Sequence, residues 1–322
     1  MSEPLRIGVL GASRIAESAI VEPARELGHR LVAVAARDPH RARVFADKYG
    51  VERVLASYQD VVADPEVDVV YNPLANALHA PWNLAAVAAG KPVLTEKPFA
   101  RDRAEAQRVA DAATAAGIPV MEGFHYLFHP VSRRALQLAS DGTLGEVTHV
   151  EVRMGMPTPD AGDPRWSLEL AGGSLMDLGC YSLHIMRRFG DPSITRAAAV
   201  QRHPGVDESC DVELEFASGA TGRCTHSMVD DEYSFTWRVT GTLGEALVHN
   251  FIKPHEDDRV TVRTGAATTV EHLGRRMSYT YQLEAFAAHL RDGAGLPLDT
   301  GDAVANMALI DDAYRAAGMS PR

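Results

Sequence analysis

Through the first 123 residues, short apolar runs alternate with longer amphipathic ones. RIGVL (6–10), LVAVAA (31–36), VDVVYN (67–72), KPVLTE (91–96) and IPVMEG (118–123) read as strands. Between them, helical spacing marks segments near 14–27, 39–49, 79–89 and 102–116, and the last two stop at Gly90 and Gly117, as helices commonly do at a C-cap glycine. Strand and helix in strict turn predict parallel strands joined by right-handed crossovers, a doubly wound sheet of Rossmann type.

The texture changes after residue 123. A helix near 130–140 leads into the strand EVTHVEVRMG (146–155), then the irregular stretch MPTPDAGDPRW (156–166), then a helix over about 174–189. Strand-like segments follow at 195–203, 210–217, 220–228, 235–240 and 245–250, joined by turn signals such as ASGA and GTLGEA, and helices over 278–291 and 301–316 complete the pattern. Neighbouring strands without crossover helices predict an antiparallel sheet. The expected fold class is therefore α/β: an N-terminal Rossmann domain, residues 1–123, and a C-terminal α+β domain, residues 124–322, built on an open, mainly antiparallel sheet. The last helix is placed where it would pack back on the first domain.

With 322 residues, 32 basic against 43 acidic side chains and a net charge of -11, the chain is long enough for two cores. It has no block of Lys or Arg to track a phosphate backbone, so nucleic acid and anionic membrane surfaces are poor partners. Cys180, Cys210 and Cys224 lie in separate segments without C-x-x-C spacing, which signals neither a disulfide framework nor a zinc site. A reducing cytoplasm is the expected location. No metal is called for.

Candidate chemistry begins at GVLGASRIA. Gly11, Ala12, Ser13, Arg14, Ile15 and Ala16 occupy a G-x-G-x-x-G/A frame at the end of the first strand, with Ser13 in place of the second glycine. Small residues there let backbone amides approach a pyrophosphate, although packing alone also selects them at a tight strand-to-helix turn. The second strand ends AVAARD: Ala36 stands where an NAD site usually places an acidic residue, and Arg37 follows. Arg37, aided by Arg14, would pair with a 2′-phosphate, so NADP(H) is favoured over NAD(H). Arg37 and Asp38 equally suit a solvated turn in which the Asp caps the next helix.

Four further motifs, YNPLANALHAPW (71–82), LTEKPFA (94–100), EGFHYLFHP (122–130) and AGGSLMDLGCYSLH (171–184), stand in the order and spacing found in the Gfo/Idh/MocA oxidoreductases, which the chain resembles over most of its length. That resemblance implies hydride transfer between a nicotinamide and a sugar, polyol, dihydrodiol or related carbonyl compound. Lys97 of EKP matches the family's lysine beside the reacting carbon, Glu96 its cofactor-ribose contact, and Pro98 a residue often preceded by a cis peptide bond. Pro73, Leu74, Asn76 and His79 fall in the family's cofactor-binding loop.

Asp177, Tyr181 and His184 follow i, i+4, i+7 spacing, which gives them one helix face. DLGCYSLH resembles the family's tyrosine version, so Tyr181 is implied as proton donor and acceptor, with Lys97 lowering its pKa. Asp177 is expected to bind a substrate hydroxyl. His184 either orients substrate or is a hydrogen-bonded structural residue. His125 or His129 is expected to reach the site, and Arg165 with Trp166 to form a substrate wall, or else an ordinary loop. A nucleotide-sugar ketoreductase and a non-catalytic dinucleotide sensor remain the alternatives. The open sheet implies a homodimer or homotetramer.

Overall fold

The computed structural model describes residues 3–322. The first 123 residues form five strands, β1 (Arg6–Leu10), β2 (Arg30–Ala35), β3 (Val69–Asn72), β4 (Val93–Thr95) and β5 (Val120–Glu122), in the order β2-β1-β3-β4-β5. All four pairings are parallel. Val54 makes an isolated parallel bridge to Val34, so residues near 54 extend the sheet beyond β2. The chain order therefore reverses between β1 and β3, the switch point at which ligands of such sheets bind, outside the carboxyl ends of the strands.

The covering helices are α1 (Glu22–Leu27), α2 (Pro39–Tyr49), α3 (Tyr58–Ala63), α4 (His79–Ala88) and α5 (Arg103–Ala116). Two details depart from the pattern expected of the sequence. Within 14–27, the turn Glu17–Val21 opens into a π-helix before α1 begins, because Pro23 has no N–H to return to the preceding turn. α3 has only six residues, too few to show a helical period, but Ser57 accepts from the Asp60 N–H at 3.1 Å as its N-cap. Its approach to β1 depends on Gly8, where a Cβ would come within 2.7 Å of Val61 and 2.9 Å of Val67.

The remaining strands make one eight-stranded sheet: β6 (Val147–Gly155), β7 (Pro192–His203), β8 (Val206–Phe216), β9 (Thr221–Ser227), β10 (Ser234–Gly241), β11 (Gly244–Val248), β12 (Arg259–Thr264) and β13 (Ala267–His272). Its order is β13-β12-β11-β10-β6-β9-β8-β7, antiparallel except for the pair β6–β9. The inward positions of β6, Val150, Val152 and Met154, are buried with Trp237 of β10. The helices α6 (Pro130–Ser140) and α7 (Cys180–Met186) cover this face. β12 and β13 were not expected from the sequence; β13, ATTVEH, is exposed at almost every position and so carries no apolar alternation.

The helices α8 (Ser278–Asp292) and α9 (Thr300–Ala316) complete the element order. The chain divides into two compact units, one running through Phe124 and including Tyr279–Met307, the other comprising His125–Ser278 and Ala308–Arg322. The single break at 123 expected from the sequence is thus replaced by an exit at Phe124, a return at Tyr279, and a second departure within α9.

Candidate active site

In the first unit the named residues gather at the carboxyl edge of the parallel sheet. Gly11 follows β1 with φ +88, and its N–H donates to the Ala35 carbonyl at 2.7 Å. A side chain there would be strained, and its Cβ would stand 3.0 Å from Leu74. The Ser13 hydroxyl is buried and has no hydrogen-bond partner, which is unusual for a buried donor unless a ligand supplies the acceptor. Arg14, Ile15 and Arg37 are exposed. Asp38 caps α2, accepting from the His40 N–H at 2.9 Å, which realises the capping half of the two readings of this turn.

Sequence reading missed Arg41. Its Nη2 donates to the Ala12 carbonyl at 3.0 Å, which ties the first turn of α2 to the glycine loop.

His79 is a strut between loops. It is buried, with Nδ1 2.7 Å from the Pro98 carbonyl and Nε2 2.9 Å from the Leu74 carbonyl. The two contacts hold the Leu74 loop against the EKP turn. Burial pushes the His79 pKa down to about 4. Glu96 is buried and accepts from the Tyr71 hydroxyl at 3.0 Å; burial and that carboxylate hold the phenol well above its ordinary range. Lys97 is half-buried, and the bond from it to Pro98 is cis.

In the second unit, a π-helical turn, Leu175–Gly179, runs directly into α7. Gly179 and Gly222 bring this segment close to the sheet: a Cβ on Gly179 would lie 3.2 Å from His226, and one on Gly222 would lie 2.9 Å from Met186. The Ser182 hydroxyl, which donates to the Gly179 carbonyl at 3.0 Å, is 2.6 Å from His226 Nε2 and pins the helix to β9. Burial pushes His226 down to about 4.

That anchor sets the direction of the neighbouring side chains. The Tyr181 hydroxyl is 3.2 Å from His125 Nε2, and His125 Nδ1 is 2.8 Å from Ser278 Oγ. Tyr181 is 4% exposed, whereas His125 has no exposed surface. His125 thus stands behind the tyrosine instead of lining the site as expected. His184 is fully buried with Nδ1 2.7 Å from the Tyr126 hydroxyl. His129 is an N-cap, accepting from the Val131 N–H at 3.2 Å.

Asp177 accepts from Arg165 Nε at 2.6 Å, and Arg165 also pairs with Asp163 at 3.2 Å. Both carboxylates, Asp177 foremost, hold the guanidinium further above its ordinary pKa. Trp166 is 7% exposed; its indole N–H donates to the Pro159 carbonyl at 3.2 Å, and Arg202 stacks 4.5 Å from the ring centroid. It is packed into its loop rather than presented as a wall.

A pH dependence follows from the buried imidazoles. Unfolded, His79 and His226 take up a proton below about 6.5; folded, they stay neutral to about 4. The unfolded chain therefore binds more protons in this window, and stability present above about 6.5 is lost as pH falls toward 4. Each residue contributes a loss of about 2 kcal/mol by pH 5. Urea midpoints between pH 7.5 and 5 should show this slope, shallower in His226→Asn; equal slopes would exclude His226.

Among the described residues, no group of three or more His, Cys, Asp or Glu is arranged to hold a metal ion, and no helix is long and apolar enough to cross a membrane. All three cysteines are free and buried.

The family profile described as oxidoreductase family, NAD-binding Rossmann fold, matches residues 5–124, and the GFO/IDH/MocA C-terminal domain matches residues 132–247. The chain is 35% identical over 318 residues to D-xylose 1-dehydrogenase (NADP(+)) 2 of Haloferax volcanii, covering 97% of each chain. It is 32% identical over 260 residues to trans-1,2-dihydrobenzene-1,2-diol dehydrogenase of Mus musculus, covering 78% of this chain and 77% of that one. The crystal structure of a 3-ketoreductase from Actinomadura kijaniata in complex with NADP and TDP-benzene superposes with a TM-score of 0.89 at 27% identity, covering 96% of each chain.

Proposed function

Because the chain belongs to the Gfo/Idh/MocA family and is an NAD(P)-dependent oxidoreductase, we propose that it uses NADP(H) to interconvert a free sugar or polyol and its carbonyl form, with Tyr181 as the acid–base residue and Lys97 as its supporting cation. The observation that carries this reading is the chain of hydrogen-bond distances Tyr181–His125–Ser278, 3.2 and 2.8 Å, which gives a nearly buried phenol a route for its proton.

The residues present fit a dinucleotide. Gly11 keeps the end of β1 clear, and the unpartnered Ser13 hydroxyl is a donor suited to a phosphate oxygen. Arg37 is exposed at the end of β2, with Arg41 bonded to the loop beside it, and two guanidiniums suit a 2′-phosphate. Bound NADP(H) supplies or accepts the hydride. Tyr181 gives its proton to the alkoxide that forms at the substrate oxygen, and takes one from the alcohol in the reverse direction. His125 resupplies the phenol, and Ser278 holds the far side of the imidazole. The Lys97 ammonium favours the phenolate and the alkoxide over their neutral forms.

The pairing of three arginines in the second unit fits a neutral substrate. Arg153 is paired with Asp230 at 2.9 Å, Arg165 with Asp177 and Asp163, and Arg202 with Glu208 at 3.5 Å. A nucleotide sugar needs uncommitted cations for its diphosphate, and these three arginines already face carboxylates. Hydroxyl groups of an uncharged sugar would be met by the outer atoms of the Asp177–Arg165 pair.

The test is a fluorescence titration with NADPH and NADH, then a panel of D-xylose, D-glucose, a trans-dihydrodiol and a dTDP-sugar with the tighter cofactor. NADPH is expected to bind more tightly than NADH, and the double variant Arg37→Ala/Arg41→Ala to lose about 3 kcal/mol of NADPH affinity, more than a hundredfold, with NADH affinity nearly unchanged. Equal loss for both cofactors would remove the 2′-phosphate assignment. Turnover confined to the dTDP-sugar would replace the free sugar with a nucleotide sugar.

A further inference from the structure

Asp207, on β8, has no exposed surface and is surrounded by donors. Its Oδ2 accepts from Ser174 Oγ and from the Leu175 N–H, both at 2.7 Å. Its Oδ1 accepts from the Tyr314 hydroxyl at 3.1 Å and from the Arg322 guanidinium. The Arg322 side chain is 1% exposed; Nε donates to the Gly172 carbonyl at 2.8 Å, and the guanidinium lies 4.0 Å from the centroid of the Tyr314 ring. Gly173, φ +124, threads between the two charges: a Cβ would lie 2.2 Å from Asp207 Oδ1 and 2.7 Å from Arg322 Nη2.

A buried ion pair has a large desolvation cost, and well-packed apolar residues commonly serve stability as well or better. What distinguishes this pair is where its other bonds go. They run to Gly172, Ser174 and Leu175, which lead into the helical segment bearing Asp177 and Tyr181. The Leu175 N–H is one of the donors that a helix start leaves without an intrahelical partner, and a carboxylate from another strand satisfies it. The turn then passes its position on: the Gly173 N–H donates to the Arg165 carbonyl at 2.9 Å, and the Asp177 N–H to the Gly173 carbonyl at 3.0 Å.

We propose that Asp207 and Arg322 are positioning residues, a buried carboxylate–guanidinium clamp that fixes the 172–175 turn and thereby the placement of Asp177 and Tyr181 for the reaction. The clamp touches neither substrate nor cofactor. The proposal rests on the reading of Tyr181 as the acid–base residue.

The test compares Arg322→Ala, Arg322→Lys and Tyr181→Phe in the full-length protein. Four readouts are taken: kcat and KM for the fastest substrate of the panel, NADPH Kd, thermal unfolding, and amide hydrogen exchange over residues 172–181. Arg322→Ala is expected to lower kcat about tenfold or more with NADPH Kd within twofold, and to speed exchange at 172–181 more than elsewhere. Arg322→Lys, which keeps the charge and loses the planar fork, is expected to lie between. A folded Arg322→Ala that melts earlier but keeps wild-type kcat, KM and local exchange would overturn the clamp. If Arg322→Ala does not fold, Arg322→Lys decides by the same split, and wild-type values there overturn it. Normal turnover in Tyr181→Phe would sink the underlying reading instead; loss in Tyr181→Phe with normal turnover in Arg322→Ala would sink the clamp alone.

Discussion

Tyr181→Phe is expected to lower kcat about a hundred- to ten-thousandfold, the range that a positioned acid–base residue contributes, with NADPH Kd within a factor of about two. The substitution removes one oxygen and leaves the ring contacts in place: edge-on packing against His125 at 5.9 Å and against Tyr126 at 6.0 Å between centroids. What disappears is the atom 3.2 Å from His125 Nε2. A buried imidazole nitrogen then loses that partner, so about 1–3 kcal/mol of stability should go with the activity. Steady-state turnover and cofactor titration separate the two effects. Turnover within about threefold of wild type would dismiss the tyrosine as proton carrier, whereas a wild-type protein that binds NADPH but turns over no substrate of the panel would favour the non-catalytic sensor.

Lys97→Ala is expected to lower kcat by about a thousandfold, a loss near 4 kcal/mol, again with NADPH affinity nearly intact. The argument is electrostatic. Glu96, buried beside it, is engaged by the Tyr71 hydroxyl at 3.0 Å, and the Pro98 carbonyl of the same turn is held by His79 at 2.7 Å. Such a mount fixes where the cation stands, and a fixed cation favours developing negative charge without reorganising first. The pH dependence of kcat supplies the second readout. On the proposed reading, in which Lys97 supports the Tyr181 phenolate, loss of the ammonium moves the basic limb of the reduction profile upward. A Lys97→Ala enzyme with unchanged kcat and an unchanged limb would show that the lysine serves the loop rather than the reaction.

How much of this could be read from the chain alone depends on how far each feature is local. β1 to β5 were legible because parallel core strands are short continuous apolar runs, and the loop GVLGAS announces its turn through glycine at a position with φ +88. The Asp177–Tyr181–His184 spacing marks a helical segment, realised as a π turn followed by α7, but not its contacts. Spacing says which side chains share a side, not that Asp177 meets Arg165, nor that His125, 56 residues before Tyr181, stands behind the phenol. Arg41 was missed because its use is tertiary: nothing local says that a guanidinium on α2 will reach the Ala12 carbonyl. Asp207 and Arg322, 115 residues apart, were beyond reach for the same reason. β13 escaped because an exposed edge strand has no buried side to record in its sequence.

The parallel pair β6–β9 has a consequence for how the protein is assembled in time. His149 of β6 pairs with Thr221 and, on its other side, with Thr240, so the middle of the sheet closes only after some seventy residues have been laid down and brought back. Those residues include the π turn, α7 and the β7–β8 hairpin with Asp207. Loop closure of this length is an entropic barrier that local helix propensity does nothing to lower. The Ser182–His226 contact that pins α7 forms only when β9 docks. A chain in which β9 has not docked would carry open strand edges on β6 and β8, and such edges are what aggregation uses.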